Sequence, residues 1–265
     1  MTATLWTRAE LARDVASLGV KPGDTVMAHA GLRSVGPILG GPDTLIGAVR
    51  DTVGPSGTLM AYTDWLWEDE WATDPELRPH APAFDPRASR AIRDNGAFPE
   101  FLRTTPGALR SASPGPSCAA IGAKGEWLLA DHALSYGYGE RSPLARLVEA
   151  GGKVLLVGAP LESMTLLHHA EHLADIPGKR IKRYETPFLE NGEVVWRDLE
   201  EFDTGNPIVE GLDDLYFAEV VEDFLATGQG KRGTIGAAPS VLVDAPAIVA
   251  FAVDWLERRF PHPDR

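Results

Sequence analysis

Lys-Val-Leu-Leu-Val-Gly, residues 153–158, sets four consecutive apolar residues between the Gly151-Gly152 pair and a closing glycine. A run this short, apolar throughout and bounded by glycine, reads as the clearest buried strand in the chain. A few residues later comes Met-Thr-Leu-Leu-His-His-Ala-Glu-His-Leu-Ala-Asp-Ile-Pro (164–177), whose apolar residues recur at helical spacing. Strand, short loop and helix in that order put side chains at the carboxyl edge of an α/β sheet, where such sheets bind ligands.

The rest of the chain supplies partners for that strand. Thr7 to Leu18 is amphipathic and opens with a threonine three residues before Glu10, a capping box, and Gly19 ends it. Thr25 to Ala28 and Gly57 to Tyr62 read as further core strands, with a helix from Gly40-Gly41-Pro42-Asp43 to about Val53 between them. Arg78 to Pro86 is proline-rich and irregular, and Ala91 to Arg103 carries helical pattern around Phe98, Phe101 and Leu102. Cys118 to Ile121 is an apolar strand, and Pro143 to Ala150 is a helix with proline in its first turn. Tyr184 to Leu189 and Glu193 to Trp196, joined by Glu190-Asn191-Gly192, predict a hairpin about an Asn-Gly turn, an antiparallel excursion attached to the main sheet. Asp213 to Thr227 and Ala245 to Phe260 are helices on periodicity, separated by a glycine-rich turn at Gly228 to Gly236 and a strand at Val241 to Val243. The expectation is one α/β domain over residues 1–265: a mixed sheet flanked by helices, with an antiparallel hairpin excursion.

At 265 residues and 44% hydrophobic content the chain can bury a sizeable core. No apolar run approaches the roughly 18 residues of a membrane helix, and the N-terminal Met-Thr-Ala-Thr-Leu-Trp-Thr-Arg lacks the basic-then-apolar order of a secretion signal. A cytoplasmic protein without membrane association is expected. The single Cys118 can form neither an internal disulfide nor a cysteine zinc site, and reads as a small buried residue. The net charge of −13 argues against nucleic-acid binding, because phosphate contacts need clustered Lys and Arg, and suits a cationic partner.

Three of the seven histidines and a glutamate fall within five positions: His168, His169, Glu171 and His172. On a helix His168 shares a face with Glu171 and with His172, while His169 points roughly 100° away. Two chemistries fit. Glu171 can accept a hydrogen bond from one nitrogen of His168 and leave the other as a general base near neutral pH. Alternatively, His-x-x-Glu-His is a zinc motif, with His168 and His172 as ligands and Glu171 as the base for a bound water. The bland reading is a histidine-rich face that only satisfies its neighbours.

Other stretches carry charge or small residues. His29-Ala30-Gly31-Leu32-Arg33-Ser34-Val35-Gly36 leaves a core strand and lets backbone amides approach a ligand closely, unless it is a plain surface loop. Asp64 to Asp74 combines three tryptophans with five carboxylates and no basic residue, a composition suited to ammonium groups. An acidic surface loop with its tryptophans packed inward has the same composition. Arg110 to Cys118 offers one guanidinium and three hydroxyls, Ser111, Ser113 and Ser117, for phosphate or amide recognition, and Glu200-Glu201-Phe202-Asp203 is a second acidic cluster. Ser117 misses the Gly-x-Ser-x-Gly nucleophile elbow, and no Gly-rich phosphate loop is present.

Taken in order, these motifs resemble the aminoglycoside 3-N-acetyltransferase family, also called the antibiotic N-acetyltransferases. The likeness rests on His29 to Gly36 with Gly40-Gly41, Gly54-Pro55 to Gly57-Thr58, Arg110-Ser111, Gly139 to Pro143, Gly151 to Pro160, Leu167 to Glu171 through Asp175-Ile176-Pro177, and Glu201-Phe202-Asp203, and it covers nearly the whole chain. The resemblance implies the antibiotic N-acetyltransferase fold, an α/β fold unlike that of the common acetyltransferase superfamily. It implies transfer of acetyl from acetyl-CoA to the 3-amino group of a 2-deoxystreptamine aminoglycoside, giving antibiotic resistance. His168 and Glu171 would then be the catalytic pair, with Thr165 one turn earlier on the same face. His29, Ala30, Gly31, Leu32, Arg33, Ser34 and Val35 would wall the CoA site together with Arg110, Ser111, Ser113 and Ser117. Asp64, Trp65, Glu68, Asp69, Glu70, Glu201 and Asp203 would hold the polycationic drug. Two positions depart from the family: it usually has serine at Gly31 and histidine-proline at Ser113-Pro114.

Acetyl transfer expects no metal, and leaves open whether the chain is a monomer or a homodimer. The zinc-hydrolase reading needs a third ligand, for which Glu193, Glu200 and Glu201 are candidates. A non-catalytic polycation-binding protein would use the acidic loops and need no CoA.

Overall fold

The computed structural model describes residues 5–65, 74–204 and 207–263. Its strands are β1 (Thr25–Ala30), β2 (Thr58–Tyr62), β3 (Leu109–Arg110), β4 (Cys118–Gly122), β5 (Lys153–Val157), β6 (Ile181–Glu190), β7 (Glu193–Phe202), β8 (Lys231–Ile235) and β9 (Ala238–Asp244). Seven of them form one mixed sheet in the order β3-β4-β2-β1-β5-β9-β8, while β6 and β7 form a separate two-stranded sheet. The centre is parallel, β1 lying between β2 and β5, and antiparallel β4 and β9 flank it. That explains the unbroken apolar runs: β2 is buried at every position, because helices cover both faces.

Period-two alternation divides the side chains between two cores. Val26, Ala28, Leu155 and Val157 face α1 (Arg8–Leu18), α3 (Pro42–Val53) and α4 (Phe98–Thr104) through Leu11, Val49 and Phe98. Met27, Met60, Val154 and Leu156 face the other layer, which contains α6 (Pro143–Glu149), α7 (Leu167–Leu173), α8 (Tyr216–Ala226) and α9 (Ala245–Arg259). The remaining short helices are α2 (Leu32–Val35) and α5 (Gly125–Leu129). No helix among the described residues is long and apolar enough to cross a membrane.

The capping box at Thr7 forms as its spacing predicts, with both reciprocal hydrogen bonds present. So does the Asn191-Gly192 turn, both residues having positive φ as a type I′ hairpin requires. Four expectations are corrected. The hairpin is a separate two-stranded sheet and longer than its apolar pattern suggested. The Gly228 to Gly236 turn contains the edge strand β8, exposed everywhere but Ile235 and therefore without an alternating signal. Helix α4 starts only at Phe98, after Gly96 at φ 79 breaks the pattern. The His-rich helix α7 is seven residues long, and Met164 to Leu166 lie in turns before it.

The carboxyl ends of β1, β2 and β5 share one edge, and the connection reverses direction between β2 and β5 on either side of β1. This switch point is where an open α/β sheet parts to admit a ligand. The loops leaving β1 and β5 interlock there: Gly31 N–H donates to Val157 O at 2.9 Å and Ser34 Oγ to Gly158 O at 3.3 Å. A Cβ on Gly31 would come within 2.3 Å of Gly158 O, so the close approach of the two loops favours glycine there.

Candidate active site

Helix α7 brings His168 and Glu171 together three residues apart, with His168 Nδ1 2.6 Å from Glu171 Oε2. The imidazole is held between Tyr138, ring centroids 4.7 Å apart, and Phe217 at 4.8 Å. Glu171 is buried, and its second oxygen, Oε1, accepts the Tyr216 hydroxyl at 2.5 Å. Nothing in the sequence singles out Tyr138, Tyr216 or Phe217; only the fold brings them to the pair.

One turn on, His172 Nε2 lies 2.9 Å from Glu201 Oε1, within ion-pair distance but off the line of a hydrogen bond. Glu201 is further held by backbone N–H groups, Gly137 to Oε2 at 2.7 Å and Phe202 to Oε1 at 2.8 Å. His169 turns inward, its Nδ1 2.8 Å from Tyr138 O, and burial lowers its pKa. The two outer histidines of the zinc motif thus have different carboxylate partners. Among the described residues no three His, Cys, Asp or Glu side chains are arranged to hold a metal ion.

Two clefts meet at this wall. One, of about 240 Å³, is lined by Glu162, His168, Glu171, Thr204, Asp213, Asp214, Tyr216 and Phe217. The other, of about 220 Å³, includes Tyr62, Asp64, Trp65, Tyr138, Lys182, Glu201, Asp203 and Thr204. They share Thr204, and the Tyr138 ring that lies against His168 lines the second. Four residues expected to hold a polycation, Asp64, Trp65, Glu201 and Asp203, therefore do converge, although Glu201 is already committed to His172. Glu68, Asp69 and Glu70 lie outside the described residues. Burial, against the opposing charge of Arg110, pushes the Asp64 carboxyl up to about 8; Asn95 donates to its Oδ1. Asp213, Asp214 and Glu162 gave no motif and were not singled out in the sequence.

The residues expected around CoA separate into two groups. Arg33 and Ser34 are exposed at the switch-point edge, on the one-turn helix α2, whereas His29 is enclosed, its Nε2 without a partner among the described residues and its pKa lowered to about 4 by burial. The Arg110 loop is built inward. Arg110 donates to Ser89 O, Thr63 O and Ser117 Oγ, and burial brings its pKa down to about 10. Ser111 Oγ accepts Cys118 N–H at 3.0 Å and contacts His132 Nδ1, while Ser117 Oγ donates to Thr63 O at 2.7 Å. Ser113 is buried and its hydroxyl has no partner among the described residues. Thr165, in the turn ahead of α7, is buried and places its hydroxyl 3.4 Å from Ser163 O. Cys118 is fully buried, with its thiol pKa raised by burial, so it is no nucleophile.

A family model described as aminoglycoside 3-N-acetyltransferase matches residues 27–257. Aminoglycoside N(3)-acetyltransferase VII of Streptomyces paromomycinus is 48% identical, the match covering 96% of this chain and 92% of the relative. Aminoglycoside N(3)-acetyltransferase III of Pseudomonas aeruginosa is 43% identical over 96% of this chain and 94% of its own. Among solved structures, AAC-IIIb in a binary complex with CoASH superposes with a TM-score of 0.95 at 63% identity, covering 98% of this chain and 99% of its own. AAC-VIa bound to sisomicin gives 0.92 at 39%, with coverage of 98% and 100%.

Proposed function

The chain belongs to the aminoglycoside 3-N-acetyltransferase family and so acetylates aminoglycosides from acetyl-CoA; we propose that it does so by direct transfer, with His168 as general base and Glu171 as its partner. One observation carries the proposal: His168 Nδ1 sits 2.6 Å from the buried Glu171 carboxylate while the imidazole opens on an acid-lined cleft. An amine attacks a thioester only as the neutral base. The carboxylate fixes the imidazole tautomer with its proton on Nδ1, which leaves the far nitrogen, Nε2, to take the amine's proton.

The substrate nitrogen bonds to the thioester carbonyl carbon, and the resulting tetrahedral oxyanion collapses with cleavage of the carbon–sulfur bond. CoA leaves as its thiolate and recovers the proton from His168. No acyl-enzyme is needed, in keeping with the burial of Cys118. The oxyanion needs a donor, for which Thr165 or a backbone N–H of the 29–34 loop is the candidate. Glu162, Asp213 and Asp214 on one side and Asp203 on the other suit the remaining ammonium groups and orient the reactive one. Arg33, exposed at the sheet edge, is better placed for CoA phosphates than the committed Arg110.

Purified protein given acetyl-CoA and sisomicin is expected to release one thiol per drug, with the acetyl group located at N3 by NMR. Acetylation at another amine, or no thiol release across a panel of 2-deoxystreptamine drugs, overturns the proposal.

A further inference from the structure

A buried carboxylate that orients a catalytic imidazole has to keep both oxygens satisfied, because an unpaired buried charge is costly and the group would otherwise rotate or draw in water. Glu171 has one oxygen on His168. The other meets the hydroxyl of Tyr216, 45 residues further along the chain. We infer that Tyr216 is a positioning residue: its hydroxyl holds Glu171 Oε1 so that Oε2 stays on His168 Nδ1. This rests on the reading of His168 and Glu171 as base and partner.

The phenol is built for that task. Burial, reinforced by the Glu171 charge, raises its pKa well above the ordinary value, so it remains a proton donor throughout the working range. Its ring lies stacked on Trp255 of α9, centroids 6.0 Å apart and 19° between planes, and Trp255 Nε1 donates to Asp223 Oδ2 at 3.0 Å. Phe217, the next residue, packs edge-on against the His168 ring. The first turn of α8 therefore grips both members of the pair, Glu171 through a hydrogen bond and His168 through an aromatic contact. Tyr216 lines the His168 cleft but acts on the chemistry only through Glu171.

Tyr138, Glu162, Asp213 and Asp214 also face the pair, as does Lys179, with Asp175 and Glu257 around it. Tyr216→Phe keeps all of these, together with the ring contacts. It removes a hydrogen bond to the charged form of Glu171, which raises the apparent pKa of the coupled pair. The acid limb of the kcat/KM profile should therefore move to higher pH, and kcat should fall roughly tenfold. The position of that limb does not depend on the fraction of active enzyme, so partial misfolding cannot mimic the shift.

A double-mutant cycle completes the test. In a Glu171→Gln background, Tyr216→Phe is expected to lower kcat no further, since its effect passes through the carboxylate. An unshifted acid limb with parental kcat in Tyr216→Phe, or an undiminished loss in the Glu171→Gln background, overturns the role of Tyr216. Parental turnover in Glu171→Gln itself would instead overturn the His168–Glu171 reading beneath it.

Discussion

His168 and His172 stand one turn apart on α7, with a glutamate oxygen 2.6 Å from a ring nitrogen of the first and 2.9 Å from one of the second. Spacing and residue type make the pairs look alike, but their surroundings do not. The His168 side chain is 21% exposed and faces a cleft, and its glutamate, 3% exposed, is gripped from behind by Tyr216. His172 is 6% exposed, with Tyr136, Tyr138 and Phe202 around its ring, and Glu201 is tied to backbone amides. A base must reach its substrate and return its proton. Only His168 combines a fixed carboxylate with an open side, whereas the His172–Glu201 pair joins α7 to the end of the hairpin.

Exchanging the two histidines for alanine should separate these roles most sharply. His168→Ala is expected to lower kcat by about 10² to 10⁴ with little change in thermal stability. His172→Ala should do the reverse: urea unfolding should give a loss of about 2 kcal/mol, from the cavity among the aromatic rings and the lost partner of Glu201, with turnover per folded molecule largely retained. Equal losses of turnover in the two variants would erase the distinction, and chemistry would then belong to the whole helix face.

Part of this contrast was legible in the sequence. The three-residue spacing brings His168 and Glu171 onto one helix face without tertiary information, and the capping box and the Asn191-Gly192 turn likewise depend on neighbours. What escaped depends on segments distant along the chain. Tyr216, the partner of Glu171, has no local mark at all, and Glu201 drew notice as a drug-binding carboxylate or third zinc ligand, not as the partner of His172. Arg110 shows the same limit: only the fold reveals that Thr63, Ser89 and Ser117 accept its hydrogen bonds. Edge strand β8 was missed because exposed residues on a sheet edge need no alternation.

The comparison extends to two histidines without a carboxylate partner, His132, which is buried, and His29, which is half-buried with its Nε2 enclosed. Burial lowers the pKa of His29 and His132 to about 4, so the folded chain keeps both neutral where the unfolded chain protonates them. Their folded pKa values lie below the unfolded value near 6.5, so the unfolded state binds more protons in that interval. Stability is full above pH 6.5 and is lost as pH falls from there toward 4. Denaturant unfolding across that range should show the decline, and His132→Gln should reduce its slope. An unchanged slope would mean that His132 does not carry the acid sensitivity.

The smallest expected effect concerns which cleft receives the drug's other ammonium groups. Asp213 and Asp214 line the cleft that contains His168, while Asp203 lines the one behind Tyr138. Partly exposed charge pairs contribute about 0.2–1 kcal/mol each, so neutralising one carboxylate should raise drug KM only a few-fold. Salt screens such pairs over about 10 Å at 0.1 M, so drug KM should climb with ionic strength in the parent and climb less in the variant that has lost a real contact. If Asp214→Asn flattens the salt dependence and Asp203→Asn does not, the drug lies mainly along the His168 cleft; flattening by both would mean that it reaches past Thr204 into the second. Salt-indifferent KM in the parent would make both clefts ordinary solvated surface and leave the His168 corner as the only part of the site with a demonstrable task.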